Sequence, residues 1–348
     1  SDVTLQNILV RGSSGHAIQA IAATDASEEG EGSGDVPTLT LIDVSLLSND
    51  GDGLNVEGLI DVSIQGGRFN NNDGDGIDLS GVGDVLIDGA QANRNDPGLL
   101  INGAASVSVS GSVFNNNADG GIVLVDIAGD VDISTTVTNN NDADGDNNGD
   151  GILALDGADA DDLAIGGSLE IEDSRFQDTD GADSARNQVY GVHVPDGAGV
   201  NVILIDNTAT GNAQDGARIV GTREIAGVQG GNYSRNRDDG VRILRTGTTD
   251  VPASFFTVYV AELTDNGNGE DGVDIDVLSK MVEFRLVRKE PRIGDNYYEL
   301  THDTLIEPIR QSRMARMNLA ENSDLTAEVS QLRQQIDRLG RLATLSSV

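Results

Sequence analysis

The 348-residue chain contains no cysteine and no tryptophan, and its lysines are confined to Lys280 and Lys289. Without thiols there are no disulfides and no thiolate-held metals, although the redox compartment stays open. Aromatic residues make up only 3% of the chain, which argues against an ordinary globular core, where large rings supply much of the buried area. No apolar run approaches the roughly 20 residues of a membrane-spanning helix. Positive charge is scarce too: 22 Lys and Arg face 58 Asp and Glu, for a net charge of −36. Such a chain is repelled by nucleic-acid phosphates and by an anionic bilayer. It suits a saline setting or divalent cations as partners. The chain begins at Ser1 with no Met and no signal peptide, which reads as a processed or excised piece of something longer.

What the chain does have is a repeat. Nine glycines, Gly53, Gly76, Gly98, Gly121, Gly151, Gly191, Gly216, Gly240 and Gly272, are each followed by an apolar residue at +1 and at +3. The +1 column runs from Leu54 and Ile77 to Val241 and Val273, and the +3 column from Val56 and Leu79 to Ile243 and Ile275. The +2 residues between them are mixed and include Asn55, Asp78, His193 and Arg218. The first glycines are 22 or 23 residues apart, and the later gaps of 24 to 40 read as the same unit carrying insertions. Short alternating strands on a period near 23 are the signature of a solenoid whose coils stack. A narrow lumen filled by Val, Ile and Leu has no need of large rings, and the abundant Gly, Asp and Asn supply the corners.

One coil can be read in full from Gly76. Ile77-Asp78-Leu79 forms a first strand, a turn follows at 81–84, and Val85-Leu86-Ile87 forms a second strand with Val85 and Ile87 inward. Val62 and Ile64, Val107 and Val109, Val131 and Ile133, and Leu169 and Ile171 occupy the same second column, while Phe69, Phe114, Phe176 and Tyr233 recur in a third. Asn49, Asn72, Asn117, Asn212 and Asn236 each lie four residues before a coil glycine. Stacked amides there can hydrogen-bond to the coils above and below, or simply tolerate left-handed turn geometry.

The units "NNNDGDGI", "NNNADGGI" and "NRDDGVRI" resemble the right-handed parallel β-helix of the pectin-lyase-like superfamily, over about residues 1–278. The fold expected is all-β: a parallel β-helix with a small α/β C-terminal cap and a terminal helix. Residues 1–52, with an acidic Gly-rich loop at 30–34, fit the repeat less cleanly. The superfamily includes lyases, hydrolases, epimerases and non-catalytic adhesins, so the resemblance specifies fold rather than activity.

The periodicity stops after Ser279. The alternating stretch 281–292 bends at Pro291, 293–296 reads as a turn, 297–300 as a short strand, and a helix is expected from about Asp303. The segment "FRLVRKEPRIGDNYYELTHDTLIEPI", within a region of 279–322, resembles the winged-helix end of STAND-type signalling NTPases, although no phosphate-binding loop occurs anywhere in the chain. In region 323–348, Leu325, Val329, Leu332, Ile336 and Leu339 form a heptad stripe. That stripe suits either packing on the same chain or self-association through 323–342.

Two groups of residues could carry chemistry. Asp144, Asp146, Asn148 and Gly149 match the opening of a D-x-[DN]-x-[DN]-G calcium loop, with Asp150 beside them. We take Asp144, Asp146, Asn148 and Asp150 as candidate Ca²⁺ ligands. The closing Glu is absent, and an acidic surface insertion is the alternative. The second group is the +2 column of the late coils, His193, Arg218, Arg242 and Asp274, which would stack on one sheet face. Polysaccharide-active β-helices, as the resemblance implies, carry their catalytic residues on such a face. The plain alternative is a mixed-charge ladder with Arg242 paired to Asp238, Asp239 or Asp274. His16 and His302 stand alone in the sequence, and Arg310, Arg313 and Arg316 read as a solvated helix face.

The leading functional expectation is a non-enzymatic, extracellular or cell-surface β-helix that serves as a scaffold or as an adhesive, carbohydrate-binding surface, stabilised by calcium. The alternatives are a lyase or hydrolase acting on an acidic polysaccharide, and a sensor arm of a STAND-type protein.

Overall fold

The computed structural model describes residues 2–22, 36–141, 149–155, 164–177, 188–195, 200–220, 222, 225–244, 257–261, 263–265, 267–275, 287–292 and 295–300. The chain divides into two compact units, Ser1–Asp276 and Val277–Val348.

The first unit is built from three parallel ladders. Each of the nine coil glycines precedes or opens a strand of one ten-stranded sheet that runs from Ile18–Ile21, through Leu54–Glu57 and Ile77–Ser80, to Val241–Leu244 and Val273–Ile275. A second ten-stranded sheet runs from Val3–Gln6 to Thr257–Ala261. The third ladder has two three-stranded parts, Leu9–Arg11 to Arg68–Asn70 and Val137–Asn139 to Thr208–Thr210, joined by single bridges through Gln91 and Val113. Every strand pair in these ladders is parallel, so the backbone returns to the same sheet once per coil, about 4.8 Å further along.

The lumen explains why the repeat is conspicuous. Every +1 and +3 residue from Leu54 to Ile243 is buried, as are Val62, Ile64, Val85, Ile87, Val107, Val109, Val131, Ile133, Leu169 and Ile171 of the second sheet. Phe69, Phe114, Phe176 and Tyr233 are fully buried behind the third ladder. At the last coil Val273 and Ile275 are only half-buried, because no further coil covers them among the described residues.

The polar column is a continuous amide ladder and is longer than the sequence spacing showed. Asn49 donates through Nδ2 to Asn72 Oδ1 at 2.8 Å, and Asn72 to Asn95 at 3.1 Å. The chain of bonds continues through Asn117, Asn141 and Gln188 to Asn212 and Asn236. The oxygens of Asn72, Asn95, Asn117, Asn141 and Asn236 also accept the backbone N–H of the ladder residue one coil earlier, as Asn117 Oδ1 does from Asn95 N at 2.9 Å. Several amides spend their second N–H on a third-ladder carbonyl, as Asn95 does on Phe69 O at 2.8 Å. A buried amide is tolerated because its partners are present. The ladder also explains the coil glycine: a Cβ on Gly76 would lie 2.5 Å from Gly98 O and 2.6 Å from Asn95 Nδ2. Close approach, rather than left-handed backbone, demands glycine there.

The first coil is more regular than its sequence. Val3–Gln6 pairs with Thr38–Ile42, Leu9–Arg11 with Ser45–Leu47, and Ile18–Ile21 with Leu54–Glu57. Ala17 holds the position of Gly53, which hid this coil from the glycine count. The Gly-rich loop at 30–34 lies outside the described residues.

In the second unit Val287–Arg292 pairs antiparallel with Asp295–Leu300. The strand continues through Pro291, opposite Asn296, where the sequence reading placed a bend and a turn. The helix expected from about Asp303 and the heptad stripe lie outside the described residues, as do His302 and the Arg310, Arg313 and Arg316 face.

Candidate functional site

The late-coil +2 residues do stack. His193 is in register with Arg218, Arg218 with Arg242, and Arg242 with Asp274. Alternation places their neighbours Val192, Ala217 and Val241 in the lumen and leaves these four on the outer face. They are half-buried rather than fully exposed, because a second column stands beside them.

That column is the residue just before each coil glycine. It holds Asp52, Asp75, Asp150, Asp215, Asp239 and Asp271, with Tyr190 before Gly191. The aspartates act in two directions. One oxygen accepts the backbone N–H of the corresponding residue in the next coil: Tyr190 N to Asp150 Oδ1 at 3.1 Å, Asp239 N to Asp215 Oδ1 at 2.9 Å, Asp271 N to Asp239 Oδ1 at 2.8 Å. The other oxygen turns to a side chain on the outer face. Asp150 Oδ2 lies 2.8 Å from His193 Nδ1, Asp215 Oδ2 3.7 Å from Arg218 Nη1, and Asp239 Oδ2 3.7 Å from Arg242 Nη1. Arg242 Nε also faces Asp274 Oδ2 at 3.5 Å. Of the three partners expected for Arg242, Asp239 and Asp274 are the ones it meets.

Tyr190 completes the surface. Its ring lies 4.3 Å from the His193 ring centroid to centroid, the Arg218 guanidinium sits 5.5 Å over it, and its hydroxyl donates to Gln214 Oε1. With Nδ1 held by Asp150, His193 keeps Nε2 as its remaining donor or acceptor.

Burial dominates the titration of this column. It pushes the Asp215 carboxyl up to about 6, against the Asp239 N–H bond and Arg218, which both favour the carboxylate. It also raises Asp150, against the hydrogen bond and charge of His193. Asp215 Oδ2 is buried and accepts no hydrogen bond. Each arginine on this face is answered by a carboxylate, so the surface is polar without being cationic.

Of the candidate calcium ligands, only Asp150 is among the described residues. Both oxygens of Asp150 are engaged by Tyr190 and His193, and Asp144, Asp146 and Asn148 lie outside the described residues. Among the described residues no group of three or more His, Asp or Glu is arranged to hold a metal ion. His16, which stands alone in the sequence, lies 2.9 Å from Asp52 Oδ2; it occupies the pre-glycine column itself one coil earlier, and its Nδ1 accepts the Asp52 backbone N–H at 3.2 Å. Sequence reasoning missed Asp215, Tyr190 and Gln214. The recurrence of Asp immediately before the coil glycine was the available signal.

Among the described residues no helix is long and apolar enough to cross a membrane. No curated protein and no solved structure matches the chain. The family model described as the right handed beta helix region matches residues 1–162, and with the parallel ladders running unbroken in register from there to Ile275, the repeat region of this chain is a right-handed parallel β-helix.

Proposed function

We propose that the chain is a non-enzymatic β-helix scaffold of the cell exterior whose late-coil face binds a neutral glycan. The observation that carries this reading is the compensated ladder of His193, Arg218, Arg242 and Asp274 over Asp150, Asp215 and Asp239. A face of paired donors and acceptors beside a tyrosine ring matches hydroxyl groups, which both give and accept hydrogen bonds. A polyuronate would have to displace a carboxylate from each arginine and approach a chain of net charge −36. Calcium at Asp144, Asp146 and Asn148, and self-association through 323–342, belong to the same proposal; calorimetry of Asp144→Ala and sedimentation of a chain ending at Asn322 test them.

The experiment for the face is calorimetric titration with neutral oligosaccharides (cello-, xylo- and mannohexaose) and with polygalacturonate. Binding of a neutral oligosaccharide, weakened about tenfold or more by Arg242→Gln, is expected, the size of a lost hydrogen bond to a charged group. Binding of polygalacturonate alone, or no effect of Arg242→Gln, would contradict it.

A second reading, a polysaccharide lyase or hydrolase, is favoured by one observation: the Asp150–His193 pair has the geometry that orients a histidine for proton transfer. Absorbance at 235 nm or new reducing ends, abolished by His193→Ala, would establish it.

A further inference from the structure

The first coil presents an uncovered edge. Val3–Gln6, Leu9–Arg11 and Ile18–Ile21 are the end strands of their ladders, and among the described residues no strand lies beyond them. Alternate residues of a strand direct N–H and C=O to opposite sides, so half of these backbone groups point away from the second coil. The lumen is open there as well. Leu5, Val10, Ile18 and Ala20 occupy the inward columns, in register with Leu41, Leu46, Leu54 and Val56. Those four counterparts are fully buried. The first-coil residues are only half-buried, because among the described residues nothing stacks on them.

Exposed apolar surface is concentrated at this end. Among the described residues the exposed large hydrophobics are Val3 (50%), Leu9 (65%) and Ile21 (62%), all in this coil, with only Leu59 and Leu86 elsewhere. Charge is distributed the opposite way. Between residues 2 and 22 the charged side chains are Asp2 and Arg11, which cancel. Between 36 and 58 they are Asp43, Asp50, Asp52 and Glu57, with no base. The last coil, 257–275, carries five acids and no base. An exposed strand edge is ordinarily protected by charge; this one is neutral and apolar, in a chain of net charge −36.

We infer that this end is an interface for a second copy of the chain, joined first coil to first coil about a two-fold axis. Like charge opposes contact between two chains this acidic, and the first coil is an end where it is absent. Two last coils would set five acids against five. The edge is also its own complement: a two-fold lays strands antiparallel, so unpaired N–H and C=O groups meet C=O and N–H groups. The contact closes on itself, covering both open lumens and leaving no first-coil edge for a third chain. It is separate from the His193 face and from self-association through 323–342, and depends on neither.

The test uses the full chain carrying a spin label on Thr4→Cys, the one cysteine it then has. Thr4 is exposed, on the outer side of its strand. Pulsed electron resonance should give one defined label-to-label separation of roughly 30 Å or less, about the width of a coil. Adding Leu9→Lys and Ile21→Lys should abolish that separation and lower the sedimentation mass, by setting like charges across the two-fold on an edge that lysine also blunts. Both side chains lie mostly in solvent, so the circular dichroism spectrum of the parent should persist. Leu59→Lys, at an equally exposed leucine outside the first coil, should leave separation and mass as they are. Absence of a short separation in the parent would overturn the inference, even if the paired lysines disturb the coil. A separation of about 45 Å or more, the length of the ten-stranded sheet, would mean first-to-last joining and overturn it too. So would a short separation that the paired lysines leave intact, or one that Leu59→Lys abolishes equally.

Discussion

Asp150 and His193 are separated by 43 residues in the chain and by 2.8 Å in space. The pair exists because two coil positions, one before the glycine and one two residues after it, are neighbours across the coil boundary. Asp150 is nearly fully buried, so its carboxylate is held there by Tyr190 N and His193 rather than by water. Asp150→Ala should therefore cost about 1–3 kcal/mol, by leaving a backbone N–H without an acceptor. Asp150→Asn keeps an acceptor for Tyr190 N and should cost less, since the burial that raises this carboxyl penalises only the charged form. Urea unfolding of the two variants at pH 7 gives the comparison. Equal losses would show that the hydrogen bond to Tyr190 is unimportant.

Asp75 is the exception in its column. Its counterpart in the next coil is Pro97, which has no N–H to donate. Burial, with the charges of Asp78, Asp52, Asp96 and Asp119, pushes its pKa from 3.8 to about 8. A carboxyl raised in the folded state binds its proton more tightly there than in the unfolded chain. Its contribution is nil below about pH 4 and becomes increasingly unfavourable as pH rises to about 8, above which it is constant. Asp75→Asn should match the parent at pH 4 and exceed it by about 1–3 kcal/mol at pH 8, allowing for partial solvent screening. Denaturant midpoints measured across that interval test this. A difference that stays flat with pH would contradict it.

The amide ladder should be as sensitive as the lumen. Asn117 donates to Ala92 O and Asn141 Oδ1 and accepts from Asn95 N. Asn117→Ala leaves several buried groups unpaired and is expected to cost about 2–4 kcal/mol. Ile122→Ala, in the fully buried +1 column, should cost about 2–5 kcal/mol through lost contacts and a cavity. Thermal unfolding of both variants checks the comparison. A loss below 1 kcal/mol for Asn117→Ala would show that water replaces the ladder.

The lumen was legible in the sequence because a parallel stack repeats its inward residues at fixed intervals. From Leu54 to Ile243 the +1 and +3 columns need no tertiary information. The amide ladder was half legible. Asn95 escaped because its coil is one residue shorter between amide and glycine, Asn141 because an insertion separates it from Gly151, and Gln188 because a different amide does the same work. The column of Asp52, Asp150, Asp215 and Asp239 was hidden by composition, since acids are so frequent that a recurring one does not stand out. Pairings such as Asp52 with His16 depend on which coil lies next to which, and no local pattern carries that.

Because the chain has no cysteine, its register can be read directly with an introduced pair. Ser108 and Asp132 are in-register neighbours on the outer face of the second sheet, at the spacing of about 5 Å that a disulfide spans. Ser108→Cys combined with Asp132→Cys should cross-link rapidly under mild oxidation with the fold intact, while Ser108→Cys combined with Ser134→Cys should not. Cross-linking of the second pair in preference to the first would contradict the stacked coils on which every assignment above rests.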